Sequence, residues 1–126
     1  MYERIITGLM LVVAAIHFLP ISGFFGIERL ASLYEIEIID GNLEILMRHR
    51  AMLFGILGVF LAYAAFNPPI QPIAFIAAFV SVASFFFLSF SVGEFNDAIR
   101  KVIIVDIVAS VSLLGAIVLY IVKRDG

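Results

Sequence analysis

The sequence has no cysteine, no tryptophan and few charged residues. Without cysteine the chain has no disulfide, no thiolate nucleophile and no zinc–cysteine site. Charged residues make up 14% of its 126 residues and apolar residues 63%, whereas a soluble domain has roughly 25% and 45–50%. The net charge of -2, with no basic tract, argues against a nucleic-acid partner. With so few polar side chains the chain cannot form the polar exterior that a protein needs in water. We therefore expect lipid to surround it.

Long apolar segments take the place of the missing polar surface, and short polar or proline-rich breaks separate them. We predict a single transmembrane domain over residues 1–126, folded as an all-α integral membrane antiparallel four-helix bundle. Each predicted helix is close to the roughly 20 residues that a bilayer requires. The four spans are expected at about 4–21, 42–66, 73–92 and 98–122.

Residues 26–35 follow a different pattern from the long apolar segments. Apolar side chains recur there at helical spacing, and charged side chains occupy the opposite face. This pattern predicts a short amphipathic helix at the membrane surface, between the first and second spans. About ten residues cannot cross a bilayer. The apolar face consists of Ile27, Leu30, Leu33 and Tyr34.

Near its start the second span contains Arg48, His49 and Arg50, at a depth where an unpaired charge is costly. Arg48 continues a stripe of small residues that is typical of a packed membrane-helix face. Glu44 lies one turn before it and is placed for an ion pair. Arg50 points about 200° away, so we expect it to snorkel to the headgroups. His49 lies between the two directions. The small residues are Ala51, Gly55, Gly58, Ala62 and Ala65.

Antiparallel packing brings further polar residues to the same end of the bundle. Asp106 lies about three turns inside the fourth span and needs a partner, for which we predict Arg48. The pair is interpreted either as a structural ion pair or as part of a ligand site. The sequence contains no recognisable catalytic nucleophile–base pair or metal cluster, which disfavours an enzyme. The candidate ligand-binding residues are His17, Glu44, Arg48, His49, Glu94, Asn96 and Asp106.

Several segments carry a resemblance to known proteins, and together they cover most of the chain. They are Leu46–Gly55, His17–Pro20, Ala64–Pro68, Ser81–Phe85 and Val105–Asp106. In these the chain resembles a group of small uncharacterised four-helix inner-membrane proteins of bacteria, DoxX-like in size and layout. Some are labelled phosphopantetheine adenylyltransferase, a soluble enzyme whose His-x-Gly-His motif is absent here, and we discount that label. The resemblance implies a fold and a bacterial inner-membrane location but no activity.

We therefore expect a membrane protein that binds or transports a small anionic or amphipathic ligand, lipid-like or quinone-like, at the polar end. Arginine offers a planar donor fork for a carboxylate, a phosphate or a quinone oxygen. A structural or accessory subunit is one alternative. A redox protein holding haem b between His17 and His49 is another, and no other cofactor is predicted. The expected partners are membrane lipids, the ligand, and a second copy or a membrane partner protein.

The orientation of the chain follows from where its basic residues lie. Four spans put both termini on one side, with three basic residues there and five on the opposite side. A plain count places the five in the cytoplasm. If Arg48 and Arg50 serve inside the fold, that count no longer applies, and we expect cytoplasmic termini.

Overall fold

The computed structural model describes residues 1–37 and 39–125, and this part of the chain is helical apart from short connections, without a strand. Four segments are long and apolar enough to cross a membrane: Tyr2–Phe25, Gly41–Ala65, Pro68–Val92 and Asp97–Asp125. The predicted four-helix fold is therefore confirmed, and the chain is a multi-pass membrane protein. The α-helices are α1 Tyr2–Phe18, α2 Ile27–Tyr34, α3 Gly41–Ala65, α4 Gln71–Val92 and α5 Asp97–Asp125; 3₁₀ segments cover Leu19–Phe25 and Pro68–Ile70.

The helix ends follow local chemistry. The Asp40 carboxylate accepts the Asn42 backbone N–H at 2.9 Å and caps α3. The Asn96 side-chain oxygen accepts the Ile99 N–H at 2.9 Å and caps α5 in the same way. The first span continues past the predicted residue 21, because Pro20 lies in the first turn of a 3₁₀ segment where its missing N–H costs nothing.

The spanning helices alternate in direction. The Thr7 hydroxyl donates to the Ala65 carbonyl at 2.8 Å, so the start of α1 meets the end of α3. Lys123 pairs with Glu3 at 2.9 Å, so α5 ends beside the start of α1. Helix α1 packs closely on α3 and α5, and α4 completes the ring by packing on the same two helices. We call the end with residues 1, 66–70 and 125 the terminal end, and the opposite one the loop end.

The small-residue stripe on α3 is packed as predicted, with Ala51, Gly55 and Gly58 buried, and the helix that it meets is α1. A Cβ on Gly58 would lie 2.8 Å from the Phe18 Cβ and 2.9 Å from its backbone nitrogen. Only glycine permits the two backbones to approach this closely.

A continuous apolar core fills the terminal half of the ring. It contains buried side chains of all four spanning helices, among them Met10, Leu61, Phe75 and Leu113. Large apolar side chains also cover the outside, where Ile56 is 58% exposed. A chain that is apolar on both its inner and outer faces suits a lipid solvent.

Helix α2 is the predicted amphipathic helix. Leu30 and Tyr34 are buried against α3 and α5, through Met47 and Val102 among others, and Glu28 and Arg29 are exposed. Because α2 lies across the loop end, it forms a roof over the space between the spanning helices.

Candidate functional site

A cavity of about 410 Å³ lies at the loop end, beneath α2 and between α1, α4 and α5. Apolar side chains such as Ile16, Phe85 and Val102 form most of its wall. Small-molecule sites usually combine apolar walls with a few convergent polar groups, in volumes of about 300–1,000 Å³. The polar side chains lining this cavity are His17, Ser32, Tyr34, Glu35, Arg50, Ser81, Lys101 and Asp106.

Arg50 enters the cavity from α3 and is held by two aromatic rings. Its Nη1 donates to the Tyr34 hydroxyl at 2.9 Å. Its guanidinium carbon lies 4.6 Å from the centroid of the Phe54 ring and 5.5 Å from that of Tyr34. Among the described residues no carboxylate forms an ion pair with it. The aromatic faces favour the cation and leave further N–H groups for a ligand.

His17 is only 4% exposed and both of its ring nitrogens have partners. Nδ1 lies 2.9 Å from the Val13 carbonyl oxygen, which can only accept, so Nδ1 carries the proton. In the neutral ring Nε2 then accepts a hydrogen bond from the Ser81 hydroxyl at 3.0 Å. This hydrogen bond joins α1 to α4 and fixes both side chains at the cavity wall.

Asp106 lines the cavity from α5, and the predicted pairing between Arg48 and Asp106 is wrong. Arg48 instead pairs with Glu44 at 3.6 Å, as the i,i+4 spacing predicted, and its Nε donates to the Phe24 carbonyl at 2.9 Å. The reason is that the small-residue face of α3 meets α1 and the following 3₁₀ segment. The face that carries Arg50 turns towards α2 and the cavity. The expectation that Arg50 snorkels to the headgroups is therefore also wrong.

A separate shallow groove of about 310 Å³ lies on the side of α3 that carries Arg48. Glu44, Arg48 and His49 line it together with Phe24 and Ile45. His17 and His49 thus line different depressions, and the structure does not bring them together around one haem-sized space. The groove and the cavity divide the residues that the sequence placed in a single cluster.

The two remaining candidates lie at the edge of the loop end. The Asn96 side-chain nitrogen donates to the carbonyls of Tyr34 at 2.8 Å and Glu35 at 3.1 Å. Asn96 therefore ties α2 to α5 and holds the roof of the cavity in place. Glu94 is exposed in the connection between α4 and α5 and lines neither depression.

Sequence reasoning missed six of the eight polar side chains in the cavity wall: Ser32, Tyr34, Glu35, Arg50, Ser81 and Lys101. One signal for Arg50 was present, since Phe54 lies one helical turn after it and such pairs share a helix face. The spacing of apolar residues predicts that Tyr34 lies on the apolar face of α2, but it does not indicate which spanning helix the side chain contacts.

Fold and cavity together define a class: a four-helix, multi-pass membrane protein with an internal cavity at one end. No protein-family model, curated protein or solved structure matches the chain.

Proposed function

We propose that the protein binds a small amphipathic ligand in the cavity at the loop end, with an oxygen-bearing head at Arg50 and an apolar body against the surrounding wall. The observation that carries this proposal is Arg50 itself. Its guanidinium is fixed by Tyr34 and Phe54, without an acid partner among the described residues, inside an apolar-walled space. Arg50 is half-buried, and a ligand oxygen in the cavity would accept from the guanidinium N–H groups that Tyr34 does not use.

The charges around the cavity favour a neutral, quinone-like head over a strongly anionic one. Two cations, Arg50 and Lys101, line the cavity with two carboxylates, Glu35 and Asp106, so the formal charges cancel. A neutral carbonyl oxygen can accept a hydrogen bond from Arg50, and it does not bring a second negative charge close to Asp106. The hydroxyl of a reduced ligand would find an acceptor in Asp106.

The apolar core supports binding in preference to transport. Thr7 and His17 mark the polar ends of the apolar part of α1, about ten residues or 15 Å apart. Between them Met10, Val13 and Ala14 are at most 4% exposed and belong to the core that all four spanning helices share. A polar head would have to displace this core in order to cross it.

A change in melting temperature in detergent tests the proposal. A benzoquinone with a short isoprenoid tail is expected to raise the melting temperature of the purified chain more than decanoate, an anionic probe of similar size. Arg50→Ala should remove the shift. Arg100→Ala is the matched control, because Arg100 lies outside the cavity with its side chain 65% exposed. The absence of a shift with both probes would refute the proposal, and a shift with decanoate alone would replace the quinone-like head with an anionic one.

We further propose that the protein lies in a bacterial inner membrane with its termini in the cytoplasm. The resemblance supports the location. Arg48 is engaged by Glu44 and the Phe24 carbonyl and Arg50 by Tyr34, so both serve inside the fold. The basic residues left as orientation signals are then three at each end, and the plain count no longer favours a cytoplasmic loop end. Because the chain has no cysteine, single cysteines can report the topology without background. In intact cells a membrane-impermeant maleimide should label Glu37→Cys and spare Asp125→Cys, and the reverse pattern would contradict the orientation.

A further inference from the structure

A further depression opens at the terminal end, opposite the cavity. It measures about 380 Å³ and receives residues from all four spanning segments. We call it the terminal mouth. Its polar lining consists of Glu3, Arg4, Thr7, Gln71 and Lys123.

Gln71 gives the terminal mouth an unused hydrogen-bond acceptor. The residue is 2% exposed, and its side-chain nitrogen donates to the Ala65 carbonyl at 3.3 Å. Its Oε1 is buried and has no hydrogen-bond partner among the described residues. A buried acceptor in this state costs free energy until a donor reaches it. The mouth therefore offers an acceptor to a ligand that carries an O–H or an N–H.

The charged side chains that line the terminal mouth favour an anionic ligand. Lys123 is paired with Glu3 at 2.9 Å. Arg4, the third charged group in the lining, has no carboxylate partner within the described part of the chain. The lining thus has one positive charge in excess, in contrast to the balanced cavity at the loop end. An arginine without an acid partner suits phosphate or carboxylate oxygens.

We propose that the terminal mouth binds a phosphate group that is accompanied by a hydroxyl. An ionised phosphate oxygen accepts from Arg4, and the hydroxyl donates to the Gln71 Oε1. Hydrogen phosphate supplies both parts itself, and a phosphatidylglycerol headgroup supplies them as its phosphate and glycerol hydroxyls. The site is independent of the cavity at the loop end, because the apolar core separates the two.

The comparison of phosphate with sulfate tests the hydroxyl requirement. At about pH 8 hydrogen phosphate is mainly a dianion that keeps one O–H, and sulfate matches it in shape and charge but has no O–H. Calorimetric titration of the purified full chain, in a non-ionic sugar detergent at about pH 8, is expected to show phosphate binding about tenfold more tightly than sulfate, the effect of one hydrogen bond. This measurement needs no variant. Equal affinities, or no saturable binding of either ion because water alone fills the mouth, would overturn the proposal.

Three variants assign the preference to the lining. Gln71→Met keeps the side-chain length and removes the acceptor, so phosphate and sulfate should then bind equally. Arg4→Gln should weaken both ions. Arg124→Gln is the matched control, because Arg124 lies at the same end of the bundle but outside the mouth, and it should change neither. A phosphate preference that survives Gln71→Met, or equal losses from Arg4→Gln and Arg124→Gln, would contradict the assignment.

Lipid nanodiscs distinguish the two sources of phosphate. Phosphatidylcholine has no hydroxyl or N–H donor, so in discs of this lipid the mouth stays open to inorganic phosphate. If a lipid headgroup is the natural ligand, added phosphatidylglycerol should displace bound phosphate. If free phosphate is the ligand, its affinity should be equal in both discs. Failure of phosphate to bind in phosphatidylcholine discs would overturn the site for either source.

Discussion

Gly58 is the position at which the packing of the bundle can be tested most sharply. It lies where α3 crosses α1, and an added Cβ would come 2.8 Å from the Phe18 Cβ, 2.9 Å from its backbone nitrogen and 3.0 Å from the Ala14 carbonyl oxygen. Two of these three neighbours are backbone atoms, which no rotamer change can move. Gly58→Ala must therefore push α1 away from α3.

The expected size of this effect is the difference between two terms. Overpacking costs about 1–3 kcal/mol, and the better helix preference of alanine returns about 1 kcal/mol. The difference between these two terms is a loss of about 0–2 kcal/mol in the free energy of unfolding for Gly58→Ala. Gly8→Ala is the control, because a Cβ there meets nothing within 4 Å. It gains the helix preference without overpacking, so we expect Gly58→Ala to be less stable than Gly8→Ala by about 1–3 kcal/mol.

The helical circular dichroism signal is a suitable reporter during unfolding in sodium dodecyl sulfate, since the chain has no tryptophan. His17 directly precedes Phe18, so the same shift of α1 should weaken ligand binding in the cavity. If Gly58→Ala and Gly8→Ala had the same effect on stability, the close approach of α1 and α3 would be refuted.

Two further predictions concern the cavity. Asn96→Ala removes the α5 cap and both bonds to the roof, so it should cost about 1–2 kcal/mol of stability and speed amide hydrogen exchange in α2. Asn67→Ala, which loses one exposed bond within a turn, should change stability by less than about 0.5 kcal/mol, and equal losses would argue against a tied roof. Ser81→Ala removes the hydroxyl that bonds to His17 and should raise the Kd of the short-chain quinone about three- to tenfold in calorimetry. Ser84→Ala loses only a bond to its own helix and should leave the Kd unchanged, so matching changes would remove His17 and Ser81 from the site.

The fold was predictable because each of its causes is local. Apolar segments of spanning length, three prolines between residues 68 and 72, and capping side chains at Asp40 and Asn96 mark the elements without knowledge of their neighbours. The fourth α-helix begins at Gln71, two residues earlier than predicted, because Pro72 lies in its first turn, where proline is tolerated.

The candidate site was less predictable, because it depends on which helix faces which. Periodicity correctly placed Arg48 with the small residues and Arg50 on another face of α3. It could not indicate that the small-residue face would meet α1 and the 3₁₀ segment, or that α2 would fold over Arg50. The terminal mouth was missed for a similar reason, since Gln71 reads as part of a loop until α4 is seen to begin there.

The most direct test of the binding proposal is the position at which a ligand attaches. A quinone analogue with a photoreactive tail can be crosslinked to the purified protein and its attachment sites mapped by mass spectrometry of peptides. The proposal predicts attachment to the cavity wall, at residues such as Phe54, Phe85 and Val105, and its loss when unlabelled quinone is added in excess. Attachment in the groove at Phe24 and Ile45, or a pattern that excess quinone does not change, would contradict it.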